Sequence, residues 1–94
     1  MRLADRVVIV TGGAQGIGRA IAQRLHDEGA TIVVADLQGH EAAGEELGGL
    51  GIRVDVSQEA DTQAMAAAVR ERYGRIDGLV NNAGIYSTLV PKPF

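Results

Sequence analysis

Apolar positions along this chain switch between two rhythms, and the switches divide it into alternating strands and helices. Val7 to Val10 is an unbroken apolar run, the pattern of a parallel strand buried on both faces. Thr31 to Ala35 repeats it, Ile52 to Val56 alternates as a third strand, and Asp77 to Val80 starts a fourth that runs into Asn81 and Asn82. Between these runs the spacing lengthens to three and four. Ile17, Ala20, Ile21 and Leu25 predict a helix starting near Gly16, with Gly29 just past its end. Residues 39 to 50 are weakly helical, with Ala43 and Leu47 on one face and Gly44, Gly48 and Gly49 weakening the segment. Ser57 is the expected N-cap of a third helix from Gln58 to about Tyr73, whose Met65, Ala68, Val69 and Tyr73 form an apolar stripe.

Strand and helix therefore alternate from the first strand to the fourth. Right-handed crossovers place such strands in the order 3-2-1-4 with helices on both faces, the front part of a Rossmann-type doubly wound parallel sheet in the α/β class. About three helices are expected. Paired asparagines at the end of a buried strand are costly unless their amides are hydrogen-bonded, so Asn81 and Asn82 are expected to bridge neighbouring backbone.

The first switch carries the chemistry. Between Val10 and Ile21 the chain holds four glycines where a strand hands over to a helix, and a helix N-terminus with its unpaired N–H groups favours an anion. A side chain in such a turn would keep the backbone away from a phosphate. Two known phosphate turns are excluded. From Gly13 the spacing imitates a P-loop, but Arg19 and Ala20 stand where Lys and Ser/Thr would hold phosphate and magnesium. The G-x-G-x-x-G fingerprint fails because Ile21 follows Gly16 and Gly18 where its third glycine belongs.

Composition narrows the partners. The 94 residues suit one small domain, and 46% hydrophobic with only 3% aromatic residues means a core of Val, Ile, Leu and Ala. A net charge of -3 with Lys92 the single lysine supplies no basic stripe for nucleic acid. The chain has no cysteine, hence no disulfide, thiolate metal site or cysteine nucleophile. The longest N-terminal apolar run is too short for a signal or a membrane span, so no membrane is expected and the cytoplasm is the expected location. Metal sites find no support either. His40-Glu41 begins a zinc-protease pattern whose second histidine is replaced by Gly44, leaving His40 expected to be exposed, and His26 beside Asp27 and Glu28 reads as a solvated face.

What remains at the first switch is Thr-Gly-x-x-x-Gly-x-Gly at Thr11, Gly12, Gly16 and Gly18, followed by Asp36 at the end of the second strand and Asn-Asn-Ala-Gly at Asn81 to Gly84. This set resembles the short-chain dehydrogenase/reductase family. The likeness runs from Val7 to Tyr86 and implies a dinucleotide site. By that resemblance Gly12, Gly16, Ile17 and Gly18 cradle the pyrophosphate, Asp36 accepts from the adenosine ribose hydroxyls, and Gln15 and Leu37 belong to the same cofactor site. Asp55 and Val56 flank the adenine, and Asn82, Ala83 and Gly84 pass close to the adenosine. Members that prefer NADP carry a basic residue in the turn or after the second strand, whereas Gln15 and Leu37 stand there, so NAD is the expected cofactor.

The family's reaction is hydride transfer between nicotinamide and an alcohol or carbonyl carbon, with a serine and a Tyr-x-x-x-Lys pair as the acid-base groups. Neither is matched. Tyr73 is followed four residues on by Asp77, Tyr86 by Val90, and Lys92 is preceded by Thr88. Residues 1–94 therefore read as the N-terminal dinucleotide-binding part of one Rossmann domain, with no catalytic residue and the catalytic part absent. Such a piece is expected to be inactive alone, to meet a small carbonyl or alcohol substrate only in a longer form, and to self-associate through its open fourth strand or as a homo-oligomer. A stand-alone nucleotide-binding module and an inert truncated fragment are the alternatives.

Overall fold

The computed structural model describes residues 3–82, and these form one four-stranded parallel sheet with helices on both faces. The elements run β1 (Val7–Thr11), α1 (Gly16–Asp27), β2 (Thr31–Asp36), α2 (His40–Glu46), β3 (Leu50–Arg53), α3 (Glu59–Tyr73) and β4 (Gly78–Asn81). The sheet order is β3-β2-β1-β4, as right-handed crossovers demand. Register is in step along the central pair, with Val7 beside Thr31 and Thr11 beside Ala35.

The unbroken apolar runs are explained by two cores, one on each side of the sheet. Val8, Val10, Ile32 and Val34 face α1 and α2, where Ala22, Ala43 and Leu47 meet them. Val7, Ile9, Val33 and Ala35 face the other way, toward Met65 and Val69 of α3. A fully buried Val or Ile contributes about 1.5–3 kcal/mol, so β1 and β2 carry most of the fold.

The outer strand β4 is held at its start by Asp77. Its Oδ2 accepts from the Val7 N–H at 2.8 Å, and its own N–H donates to Val7 O at 2.8 Å. The Arg75 guanidinium closes on the same carboxylate through Nε at 2.8 Å and Nη2 at 2.7 Å. These bonds to Arg75, then the Val7 N–H, hold the Asp77 carboxyl down to about 2.

Several local expectations need correction. In α1, Ile17 is 61% exposed and Ala20 is also exposed, while Gly18 and Ala22 are the buried positions. The helix lies so close to the glycine turn that only small residues fit beneath it. Strand β3 spans Leu50–Arg53 rather than Ile52 to Val56, because its partner β2 ends at Asp36; Val54 still donates to Asp36 O at 3.1 Å, and beyond it the chain has no strand to pair with. Ser57 is not the cap of α3; Gln58 holds that position without a side-chain bond, and Ser57 is drawn back to Asp55. Ala68 is exposed, and Ala66 is half-buried in its place. Strand β4 begins at Gly78 and includes Asn81, Asp77 being its anchor. His40 is half-buried, and its Nδ1 is enclosed without a partner among the described residues.

Candidate functional site

The glycine turn leaves the C-terminal end of β1 and is tied at once to its neighbour, Gly12 N–H donating to Ala35 O at 2.7 Å. Gly12 and Gly16 have φ of 66° and 62°, a region that L side chains disfavour, so these two corners of the turn call for glycine. Gln15 is the extended N-cap of α1, with no side chain covering the helix end and no acidic residue in the first turn. The first N–H groups of α1 thus lack intrahelical partners, and no side chain of the helix's own first turn offsets their partial positive charge. Such an end accepts an anion.

Gly18 shows why the turn and helix can approach. A Cβ there would lie 2.0 Å from Gly12 O and 2.6 Å from Asn82 Nδ2. Asn82, 1% exposed, donates through Nδ2 to Gly12 O at 3.3 Å, so the amide bridges the end of β4 to the turn as expected. Its Oδ1 has no partner among the described residues. Asn81 is exposed, and its Oδ1 lies 3.2 Å from Thr11 Oγ1, which is also 3.1 Å from Val80 O. Thr11 thus joins β1 to β4 through its side chain, a tie that the strand pattern did not signal.

Asp36 stands at the end of β2 and faces the same turn. Its Oδ2 accepts from the Ala14 N–H at 3.2 Å and its Oδ1 from the Leu37 N–H at 2.7 Å. Each carboxylate oxygen keeps acceptor capacity beyond these bonds. Leu37 beside it is 48% exposed, and Ile17 is the exposed apolar residue at the head of α1. Asp55 and Val56 follow β3, joined to this edge by the bond from Val54 to Asp36 O. Hydrogen bonds from the Ser57 hydroxyl and then its N–H lower the Asp55 pKa, with Arg53 adding a smaller electrostatic effect.

Of the predicted site residues, Gly12, Gln15, Gly16, Ile17, Gly18, Asp36, Leu37 and Asn82 belong to the turn and the chain ends around it, with Asp55 and Val56 one strand further out. Ala83 and Gly84 lie outside the described residues. A separate groove of about 350 Å³ opens on the α3 side of β1 and β4, and of the predicted residues that are described only Val56 lines it. Sequence reasoning missed Asp61, which holds the backbone at Asp55, and Ala14, whose N–H holds Asp36. A carboxylate in the first turn of a helix is a signal for the former; the latter has none.

Among the described residues no helix is long and apolar enough to cross a membrane, and no three potential ligands gather for a metal.

Known proteins resemble this chain in sequence. The family model for short chain dehydrogenase matches residues 6–93. An L-fucose dehydrogenase from Oryctolagus cuniculus is 44% identical over 93 residues, covering 96% of this chain and 33% of the relative. A levodione reductase from Leifsonia aquatica is 45% identical, covering 89% of the chain and 35% of the relative. For a 3-beta-hydroxysteroid dehydrogenase from Comamonas testosteroni the identity is 46%, over 89% of the chain and 35% of the relative. The chain thus spans about a third of the length of these curated relatives.

Proposed function

The chain belongs to the short-chain dehydrogenase family, and from that premise we propose that it is the NAD-binding part of an oxidoreductase acting on a secondary alcohol or ketone. The observation that carries this reading is the tie of Asp36 to the Ala14 N–H, which sets a carboxylate at the rim of the glycine turn. A dinucleotide whose pyrophosphate lies on the head of α1 would bring its adenosine ribose toward that carboxylate. An ionised Asp36 accepts from a ribose diol and repels a 2′-phosphate, which favours NAD over NADP. Gln15 and Leu37 add no cation for the extra phosphate.

The residues divide the work by position. Gly12, Gln15, Gly16, Ile17 and Gly18 offer backbone to the pyrophosphate, Asp55 and Val56 flank the adenine, and Asn82, Ala83 and Gly84 pass the adenosine. The cofactor, when bound, supplies hydride acceptance at its nicotinamide. These residues hold and orient it, an entropic contribution that lowers the barrier only when acid-base groups complete the site. Residues 1–94 are accordingly proposed to bind cofactor without turnover.

Calorimetric titration tests the proposal. NADH should bind more tightly than NADPH, and Asp36→Ala should weaken NADH about tenfold or more, the worth of a hydrogen bond to a charged group. Equal affinity for both cofactors would overturn the preference, and alcohol oxidation by residues 1–94 above a blank would overturn the proposed lack of turnover.

A further inference from the structure

We propose that the Asp77–Gly78 bond is a modification site, open to isoaspartate formation, which the Arg75 guanidinium holds shut. Of the chain's aspartates only Asp77 is followed by glycine. Such a pair can rearrange without an enzyme. The Gly78 nitrogen attacks Cγ of Asp77 in its protonated form, the new N–Cγ bond closes a succinimide ring, and the carboxyl hydroxyl leaves with the amide hydrogen as water. A second water then opens the ring at either carbonyl. Opening beside Cα leaves the main chain running through the former side chain, one carbon longer, with the old α-carboxyl as its branch. Glycine permits this because it puts no side chain in the way of the attacking nitrogen. The fold does not demand glycine there. A Cβ on Gly78 would meet only the Val8 methyls, at 3.8 Å, and its φ lies outside the left-handed region.

What the fold supplies instead is a clamp on the carboxylate. Arg75 donates through Nε to Oδ2 at 2.8 Å and through Nη2 to Oδ1 at 2.7 Å, the Val7 N–H adds a bond to Oδ2 at 2.8 Å, and Arg6 Nη1 lies 3.5 Å from Oδ1. Both oxygens are engaged. Gly78 meanwhile belongs to the ladder beside Val8, so attack requires the carboxyl to leave its donors and take up a proton. The bonds to Arg75 contribute most to holding that carboxyl down to about 2, which keeps the acid form scarce near neutral pH. Arg75 is half-exposed, and a substitution can remove it without touching the core. The rearrangement would undo what the clamp protects. Asp77 accepts from the Val7 N–H and donates to Val7 O, and a longer main chain cannot meet both. Strand β4 would then slip against β1, and with it the ties from Thr11 to Val80 and Asn81 and from Asn82 to Gly12 O.

The test incubates the 94-residue chain and its variants at neutral pH and follows isoaspartate at position 77 by peptide mapping. The folded chain should form it at least about tenfold more slowly than the same chain in denaturing urea, and Arg75→Gln should raise the folded rate about tenfold, the gain in acid form when the carboxyl's pKa rises by about one. Arg75→Lys, which keeps the charge without the paired bonds, should lie between. Adding Gly78→Ala to Arg75→Gln should abolish the product. Gly48→Ala weakens the fold away from β4 and should leave the rate near that of the unsubstituted chain. A rise there equal to that of Arg75→Gln would reduce the clamp to general stability and overturn the inference. An Arg75→Gln rate no higher than the unsubstituted one overturns it too, as does a folded rate equal to that in urea. Should Arg75→Gln not fold, Arg75→Lys decides the matter, and an unchanged rate in it is a negative result.

Discussion

Two stretches of this chain are rich in glycine, and they use it for opposite ends. From Gly12 to Gly18 the missing side chains expose backbone around a helix end that has no side-chain cap and no acid in its own first turn. From Gly44 to Gly51 they let α2 press onto the sheet. A Cβ on Gly44 would stand 2.5 Å from Gly51 N, one on Gly51 2.0 Å from His40 O, and one on Gly49 1.9 Å from Ile32 O. Composition alone makes the second stretch look like a frail helix, and its buried Ala43, Gly44 and Leu47 show it to be a closely packed one. Glycine lowers helix propensity by about 1 kcal/mol, and here close backbone approach offsets that cost. The first stretch is proposed to bind by staying open; the second stabilises by closing.

The sharpest way to break that division is a pair of substitutions. Gly18→Ala and Gly51→Ala each drive a methyl into a carbonyl 2.0 Å away, and each should destabilise by about 3 kcal/mol, the upper range for overpacking. Urea denaturation measures that loss. They should differ in binding: folded Gly51→Ala keeps its NADH affinity, whereas Gly18→Ala, which moves Gly12 and Asn82, loses it by more than tenfold. Equal losses of affinity would erase the distinction.

Asp36→Ala reverses the signature. It should cost about 1.5 kcal/mol or more of NADH binding while the denaturation midpoint moves little, since the carboxylate accepts only two turn N–H bonds in a half-buried position.

The Asp77 anchor belongs to neither glycine stretch and provides an acid test of the sheet that carries both. Its folded pKa, about 2, lies below the ordinary 3.8, so its stabilisation is present above pH 4 and is lost as pH falls from there through about 2. Denaturation midpoints should drop across that window, and Asp77→Asn should flatten the drop. An unchanged profile in the variant would remove Asp77 as its source.

Gly48 refines the second stretch. It has φ of +66° with nothing within 4 Å of an added Cβ, so Gly48→Ala should cost about 1 kcal/mol from conformation alone. A loss near that of Gly51→Ala would mean that α2 tolerates no change rather than close contact in particular. Smallest of all should be Glu46→Ala. It removes the 3.1 Å pair with Arg19 that joins α2 to α1, a contact 63% exposed on the Glu46 side, and exposed pairs contribute under about 1 kcal/mol.

Much of this molecule was legible in one dimension. Strands buried on both faces announce themselves by unbroken apolar runs, so β1 and β2 stand where Val7 to Val10 and Thr31 to Ala35 predicted. Crossover handedness then left one sheet order. Asp36 was legible for a similar reason, since its place at a strand end is a matter of counting. Ile17 and Ala20 misled because helical spacing tells which residues share a face but not how near that face comes to its neighbour. Ser57 misled because its hydroxyl and N–H both donate to the Asp55 carboxylate, which draws the residue away from the first-turn N–H groups of α3 that a cap would accept from.

By itself, the sequence determined the alternation of strands and helices, the spacing of the glycine turn, the acid at the end of β2 and the family. Those features are written in residues near one another, where backbone conformation and burial pattern follow directly from side-chain type. Only the tertiary structure decided that Gly18 rather than Ile17 lies inward, that Asp77 pins β4 to Val7 across 70 positions, and that Asn82 holds the carbonyl of Gly12. Contacts of that kind depend on distances between elements brought together by the sheet, and no local pattern records how closely two backbones will meet.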